Sequence, residues 1–83
     1  MISCHIHDYI EIACLYGYQI KLELNDGSYV QGKALTTLTT QDKRELLKLE
    51  CTEVDLEQIR VMTALTDNPH FSSVQFPSVP KNT

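Results

Sequence analysis

The sequence predicts a small, mainly β domain, a partly open antiparallel barrel of about five or six strands with one N-terminal helix. Three observations carry that prediction. Tyr18, Ile20, Leu22 and Leu24 alternate with Gln19, Lys21, Glu23 and Asn25, the period of a strand with one dry and one wet face. Asn25-Asp26-Gly27 follows at once, residues that let a chain reverse tightly, and Val30, Gly32 and Ala34 then continue the dry face on a second strand. Helical spacing is confined to the N-terminal segment, and a chain of 83 residues has material for one core.

Taken in order, Asp8 followed by Glu11 fits a capping box and predicts a helix from about Tyr9 to Tyr16. On it Ile6, Ile10, Ala13, Cys14 and Gly17 share one side, and Asp8, Glu11 and Leu15 share the other. Gly17 ends the helix. In the hairpin that follows, Gly32 costs strand stability unless it permits a bend or a close backbone approach. Leu35 to Gln41, rich in threonine, is followed by the charged Asp42-Lys43-Arg44, and the middle of this stretch is read as an exposed, threonine-rich turn between long strands. Leu47, Leu49 and Cys51 mark a third strand facing inward. Val54 and Leu56 keep the strand period, but Ile59 and Met62 are spaced by three, so a tight turn or bulge falls between Leu56 and Ile59 and redirects the chain into a strand over about Ile59 to Leu65. Asp67-Asn68-Pro69 breaks the pattern, and Phe71 to Phe76 predicts a last edge strand ended by Pro77. The expected core is Ile20, Leu22, Leu24, Val30, Leu47, Leu49, Leu56 and Ile59. A single domain thus occupies 1–83, with the helix over about 8–16, the barrel over about 18–76 and a mobile tail over 77–83.

The charge count is 11 acidic against 7 basic residues, a net −4, which disfavours docking on a phosphate backbone and favours a basic partner. No apolar run is long enough for a membrane span and no signal-peptide pattern is seen, so a cytoplasmic location with no membrane partner is expected. Three widely separated cysteines, Cys4, Cys14 and Cys51, suit reduced thiols better than a disulfide framework. Cys4, His5, His7 and Cys14 are zinc-ligand types, but no second compact pair completes a site, and no metal or cofactor is expected. A phosphate-cradling glycine loop, a nucleophile elbow and an HExxH pattern are all missing from the sequence. The chain reads as a binding module and not as an enzyme.

The order of helix, IKLEL strand, Asn-Asp-Gly turn and YVQGKA strand is similar to the first motif of Sm-like barrels, with VDLEQIRV as a counterpart of their shorter second motif. Where RNA-binding Sm proteins carry a characteristic Asp and Asn, this chain has LTTLTTQDK. Cys4 and Cys14 around the helix core DYIEIAC, followed by IKLELNDGSYVQGKA and the closing strands, resemble the bacterial Rho-binding antitermination family, the Rof (YaeO) proteins, over residues 3 to 76. The resemblance implies an acidic Sm-like domain that binds the hexameric, RNA-dependent ATPase Rho at the RNA-loading surface of its N-terminal OB-fold domain and so inhibits Rho-dependent termination. It implies Asp8 and Glu11 as the acidic contacts on the helix, Tyr9 as an aromatic contact, and Asp42 and Lys43 as contacts from the later loop. With net −4 and no basic stripe, the protein is expected to be a monomer when free and to have no direct nucleic-acid partner. Cys4-His5-Ile6-His7 departs from the acidic lead-in expected of that family, which implies either weaker binding or binding that tightens or loosens as the histidines titrate. An RNA-binding Sm-like ring and an adaptor for another bacterial complex are the alternatives left open, because a fold does not name its partner.

Overall fold

A computed structural model describes residues 4–77. The elements in order are α1 (Cys4–Tyr16), β1 (Gln19–Leu24), β2 (Tyr29–Thr39), β3 (Glu45–Leu49), β4 (Glu53–Asp55), a 3-10 turn (Leu56–Gln58), β5 (Ile59–Ala64) and β6 (Ser73–Gln75). The strands form one six-stranded antiparallel sheet in the order β4-β3-β2-β1-β5-β6. β4 and β6 are its outer strands and do not pair with each other, so the barrel is partly open.

The barrel turns its corner in β2. This strand pairs with β1 from Tyr29 to Lys33 and with β3 from Ala34 to Thr39, and a register shift between Ala34 and Thr36 marks the change of partner. Gly32 lies just before it, opposite Ile20. A Cβ added there would stand 3.3 Å from Cys51 Sγ and 3.4 Å from Leu49 Cβ, so the glycine is the close approach that its position in the strand foretold.

The core holds Ile20 and Leu22 of β1, Leu47 and Leu49 of β3, Ile59 and Met62 of β5, and Leu56, all buried. Burying one such side chain is worth about 1.5–3 kcal/mol, so a handful of them dominates the stability of a domain this small. Ile6, Ile10 and Ala13 of α1 close over them, as their shared face predicts. Leu24 and Val30, expected inside, are only partly buried, because they sit next to the exposed turn of the first hairpin.

Several boundaries differ from expectation for physical reasons. α1 begins at Cys4, so Asp8 is inside the helix and no capping box starts there. The periodic set Ile6, Ile10, Ala13 already needed that extra turn. Leu35 to Thr39 is strand and not turn: β-branched threonines fit an extended chain, and the reversal is confined to Thr40–Arg44. Cys51 lies beyond β3, exposed, its thiol donating to Gln31 O at 3.4 Å. The last strand is only Ser73–Gln75, since Asn68 gathers the segment before it into a loop. The expected redirection between Leu56 and Ile59 is the 3-10 turn, capped by Asp55, whose carboxylate accepts from the Glu57 amide at 2.9 Å. The expected tail from 78 to 83 lies outside the described residues.

Candidate functional site

α1 is anchored at both ends. At its C-terminus Gly17 takes φ +65°, the Gly17 amide donates to Cys14 O at 3.3 Å and the Tyr18 amide to Ala13 O at 2.9 Å, the paired bonds of a Schellman motif. Near its N-terminus His7 Nε2 hydrogen-bonds Glu45 Oε1 at 3.2 Å. Glu45 opens β3 at the base of the Thr40–Arg44 turn, so this contact brings the start of the helix to the hairpin that carries Asp42 and Lys43. The two segments are 38 residues apart in sequence, and nothing in the local pattern signals the pairing.

With Ile6, Ile10 and Ala13 turned inward, Asp8 and Glu11 stand exposed on the opposite side. Neither is ion-paired among the described residues. α1 contains no lysine or arginine. Burial first, and then the Glu11 charge, push the Cys14 thiol above its ordinary value, so the half-buried Cys14 stays protonated at neutral pH. Tyr9 is largely committed to packing: its ring is half-buried, 5.3 Å from that of Phe71, which in turn lies 6.2 Å from Tyr18.

The turn presents the other two expected residues. Asp42 accepts a short bond from the Thr40 hydroxyl and lies 3.3 Å from Arg44 Nε; the first and then the second hold its carboxyl below the usual range. Arg44 also reaches Asp55 Oδ2 at 3.7 Å, which ties the turn to the end of β4. Lys43 is exposed, with φ +68°.

Charge is therefore distributed unevenly. Both arginines of the chain are engaged by carboxylates, Arg44 as above and Arg60 by Glu23, and Lys21 Nζ lies 4.4 Å over the Tyr29 ring. Among the described residues Asp8 and Glu11 on the helix and Glu50 in the turn after β3 form no ion pair, and Glu53 at the start of β4 stands opposite Lys48. No polar or charged residue is buried among the described residues, and no group of three or more metal-ligating side chains is gathered there. The open depression after β3 is lined by Lys48, Leu49, Glu50, Cys51, Thr52 and Glu53, and the Cys51 thiol there is engaged with Gln31 O. No helix among the described residues is long and apolar enough to cross a membrane. The outward side of α1 is an acidic surface.

Comparison with known proteins agrees in kind. The family described as modulator of Rho-dependent transcription termination (ROF) matches residues 1–76. Among solved structures, YaeO bound to magnesium, from Vibrio cholerae O395, is similar at 35% identity and a TM-score of 0.76, covering 84% of this chain and 96% of that one. No curated protein matches the chain.

Proposed function

The chain belongs to the family of modulators of Rho-dependent transcription termination, and from that premise we propose that it inhibits termination by occupying the RNA-loading surface of the Rho N-terminal domain. The observation that carries this reading is the outward face of α1, where Asp8 and Glu11 stand exposed without a cationic partner among the described residues while the arginines of the same chain are neutralised. A groove that holds single-stranded RNA is basic, and an acidic surface is drawn to it for the reason RNA is. Both ligands cannot fill it together. Asp42 and Lys43 extend the contact from the turn that His7 and Glu45 bring to the helix, and the exposed part of Tyr9 borders it. The acting unit is one copy of the chain, which does not itself bind RNA.

The test is a purified transcription reaction with Rho. The protein is expected to raise read-through at a Rho-dependent terminator, and Glu11→Lys, checked for fold by circular dichroism, is expected to weaken Rho binding about tenfold or more. Unaltered inhibition by folded Glu11→Lys would remove the helix face from the contact. A parent protein that leaves termination unchanged would end the reading.

A further inference from the structure

The tips of both long hairpins are tied to one short element, the 3-10 turn Leu56–Gln58, whose Leu56 is buried in the core. The first tip is tied by a neutral residue: the Asn25 amide donates to Gln58 O and the Asn25 carboxamide to Glu57 O, both at 2.9 Å. The second is tied by charge. Arg44 Nη1 lies 3.7 Å from Asp55 Oδ2, and among the described residues this is the one ion pair or side-chain hydrogen bond that joins residues 40–44 to the rest of the chain. His7 reaches only Glu45, at the base of the turn.

Asp55 is well placed to hold the tip. It stands on β4 opposite Leu46, its side chain is 16% exposed, and its two oxygens have separate partners. Oδ1 accepts from the Glu57 amide at 2.9 Å and so caps the 3-10 turn, which leaves Oδ2 to face Arg44. Arg44 in turn places Nε 3.3 Å from Asp42 Oδ2, and its amide donates to the Thr40 hydroxyl at 3.0 Å. A line of contacts therefore runs from the core through Asp55 and Arg44 to Asp42, and Lys43 lies in the turn that this line holds. An ion pair with an exposed arginine adds little to stability, but a tip kept in one conformation loses less freedom when a partner takes it.

We propose that Asp55 is a positioning residue for partner binding: through Arg44 it fixes the tip that presents Asp42 and Lys43, without touching the partner itself. The inference rests on the assignment of that tip to the Rho contact. Its test is Asp55→Asn in the full-length protein, which keeps an oxygen for the Glu57 amide and removes the charge that faces Arg44. In the free variant the denaturation midpoint is expected to stay at the parent's value, while the Lys43 and Arg44 amides exchange with solvent faster and the Gly27 amide of the other turn exchanges as before. Affinity for Rho is expected to fall about threefold to tenfold, the effect of one loosened side chain or two. Lys43 and Asp55 form no bond with each other, so a coupling between them reports on the tip. In a Lys43→Ala background, itself a weaker binder, Asp55→Asn is expected to weaken binding no further, whereas Glu11→Gln weakens it as much as in the parent. An equal loss from Asp55→Asn in both backgrounds would make Asp55 a direct charge contact and overturn the positioning role. Parent-like affinity or parent-like exchange in Asp55→Asn would overturn it too, and would leave the Rho reading standing. Parent-like binding by Lys43→Ala alongside weakened Glu11→Gln would take the tip out of the contact, overturning this proposal and sparing the helix face. Absence of Rho binding by the parent would overturn both readings together.

Discussion

The two turns at the ends of β2 are built alike and differ in the residue at one position. In the first, the Leu24 amide donates to Ser28 O at 2.9 Å and the Gly27 amide to Leu24 O at 3.0 Å; in the second, the Thr40 amide donates to Arg44 O at 2.9 Å and the Lys43 amide to Thr40 O at 3.0 Å. The third loop residue is left-handed in both, Gly27 at φ +88° and Lys43 at φ +68°. A glycine adopts that conformation freely, whereas a side chain there costs about 1–2 kcal/mol. The hairpins behind the turns differ too. β1 buries Ile20 and Leu22 completely, but in the second hairpin only β3 contributes to the core, through Leu47 and Leu49, and its other arm, Leu35 to Thr39 of β2, is exposed throughout. The first hairpin is thus built for stability. The second holds a charged side chain in a left-handed backbone at an exposed tip.

The sharpest way to break this contrast is through one residue of β1 and one of the exposed arm of β2. Leu22→Ala removes fully buried methyl groups and is expected to cost about 2–5 kcal/mol, lowering the denaturation midpoint severely. Leu38→Ala in the arm is expected to stay within about 0.5 kcal/mol of the parent. Equal losses would show that the arm is as much a part of the core as β1.

The turns give smaller effects of opposite sign. A Cβ on Gly27 meets nothing within 4 Å, so Gly27→Ala tests backbone strain alone and is expected to destabilise by about 1 kcal/mol. Lys43→Gly relieves the same strain and is expected to stabilise by up to about 1 kcal/mol, less what glycine adds to the entropy of the unfolded chain. A gain in stability together with weaker Rho binding would show the trade directly.

The smallest expected effect is on the acid limb of stability. The Ser28 hydroxyl at 2.6 Å and the Ser28 amide at 2.9 Å hold the Asp26 carboxyl below its usual range, as Thr40 and Arg44 do for Asp42. A carboxyl depressed in the folded state releases its proton more readily there than in the unfolded chain. Its stabilising contribution is therefore complete above about pH 4 and is lost as pH falls through the folded value. Asp26→Asn should flatten the loss of stability below that pH, measured by denaturant titration across the acid range. An unchanged acid limb would mean that these bonds persist in the unfolded chain or do not form.

The same contrast explains what was legible in the sequence. The first hairpin was readable because one face is dry: Ile20, Leu22 and Val30 cannot shift register without exposing apolar surface, so the period of two is written into the chain. The arm carries no such period, since its residues are exposed on both faces, and the threonines consequently read as a turn. The start of α1 was obscured when Asp8 and Glu11, a plausible cap, outweighed the signal of Ile6 one turn earlier. Of the candidate site, the exposure of Asp8, Glu11 and Leu15 followed from helical geometry. The His7–Glu45 bond did not, because it joins segments far apart in the chain and depends on how α1 settles on the barrel.

The central claim is that this protein and RNA compete for one surface of Rho, and the direct measurement is displacement of a labelled short single-stranded RNA from the Rho N-terminal domain. The account predicts that the parent protein displaces the RNA completely, that displacement weakens as salt is raised, and that folded Glu11→Lys is needed at about tenfold higher concentration. A ternary complex in which the parent protein and the RNA remain bound together at saturation would contradict it.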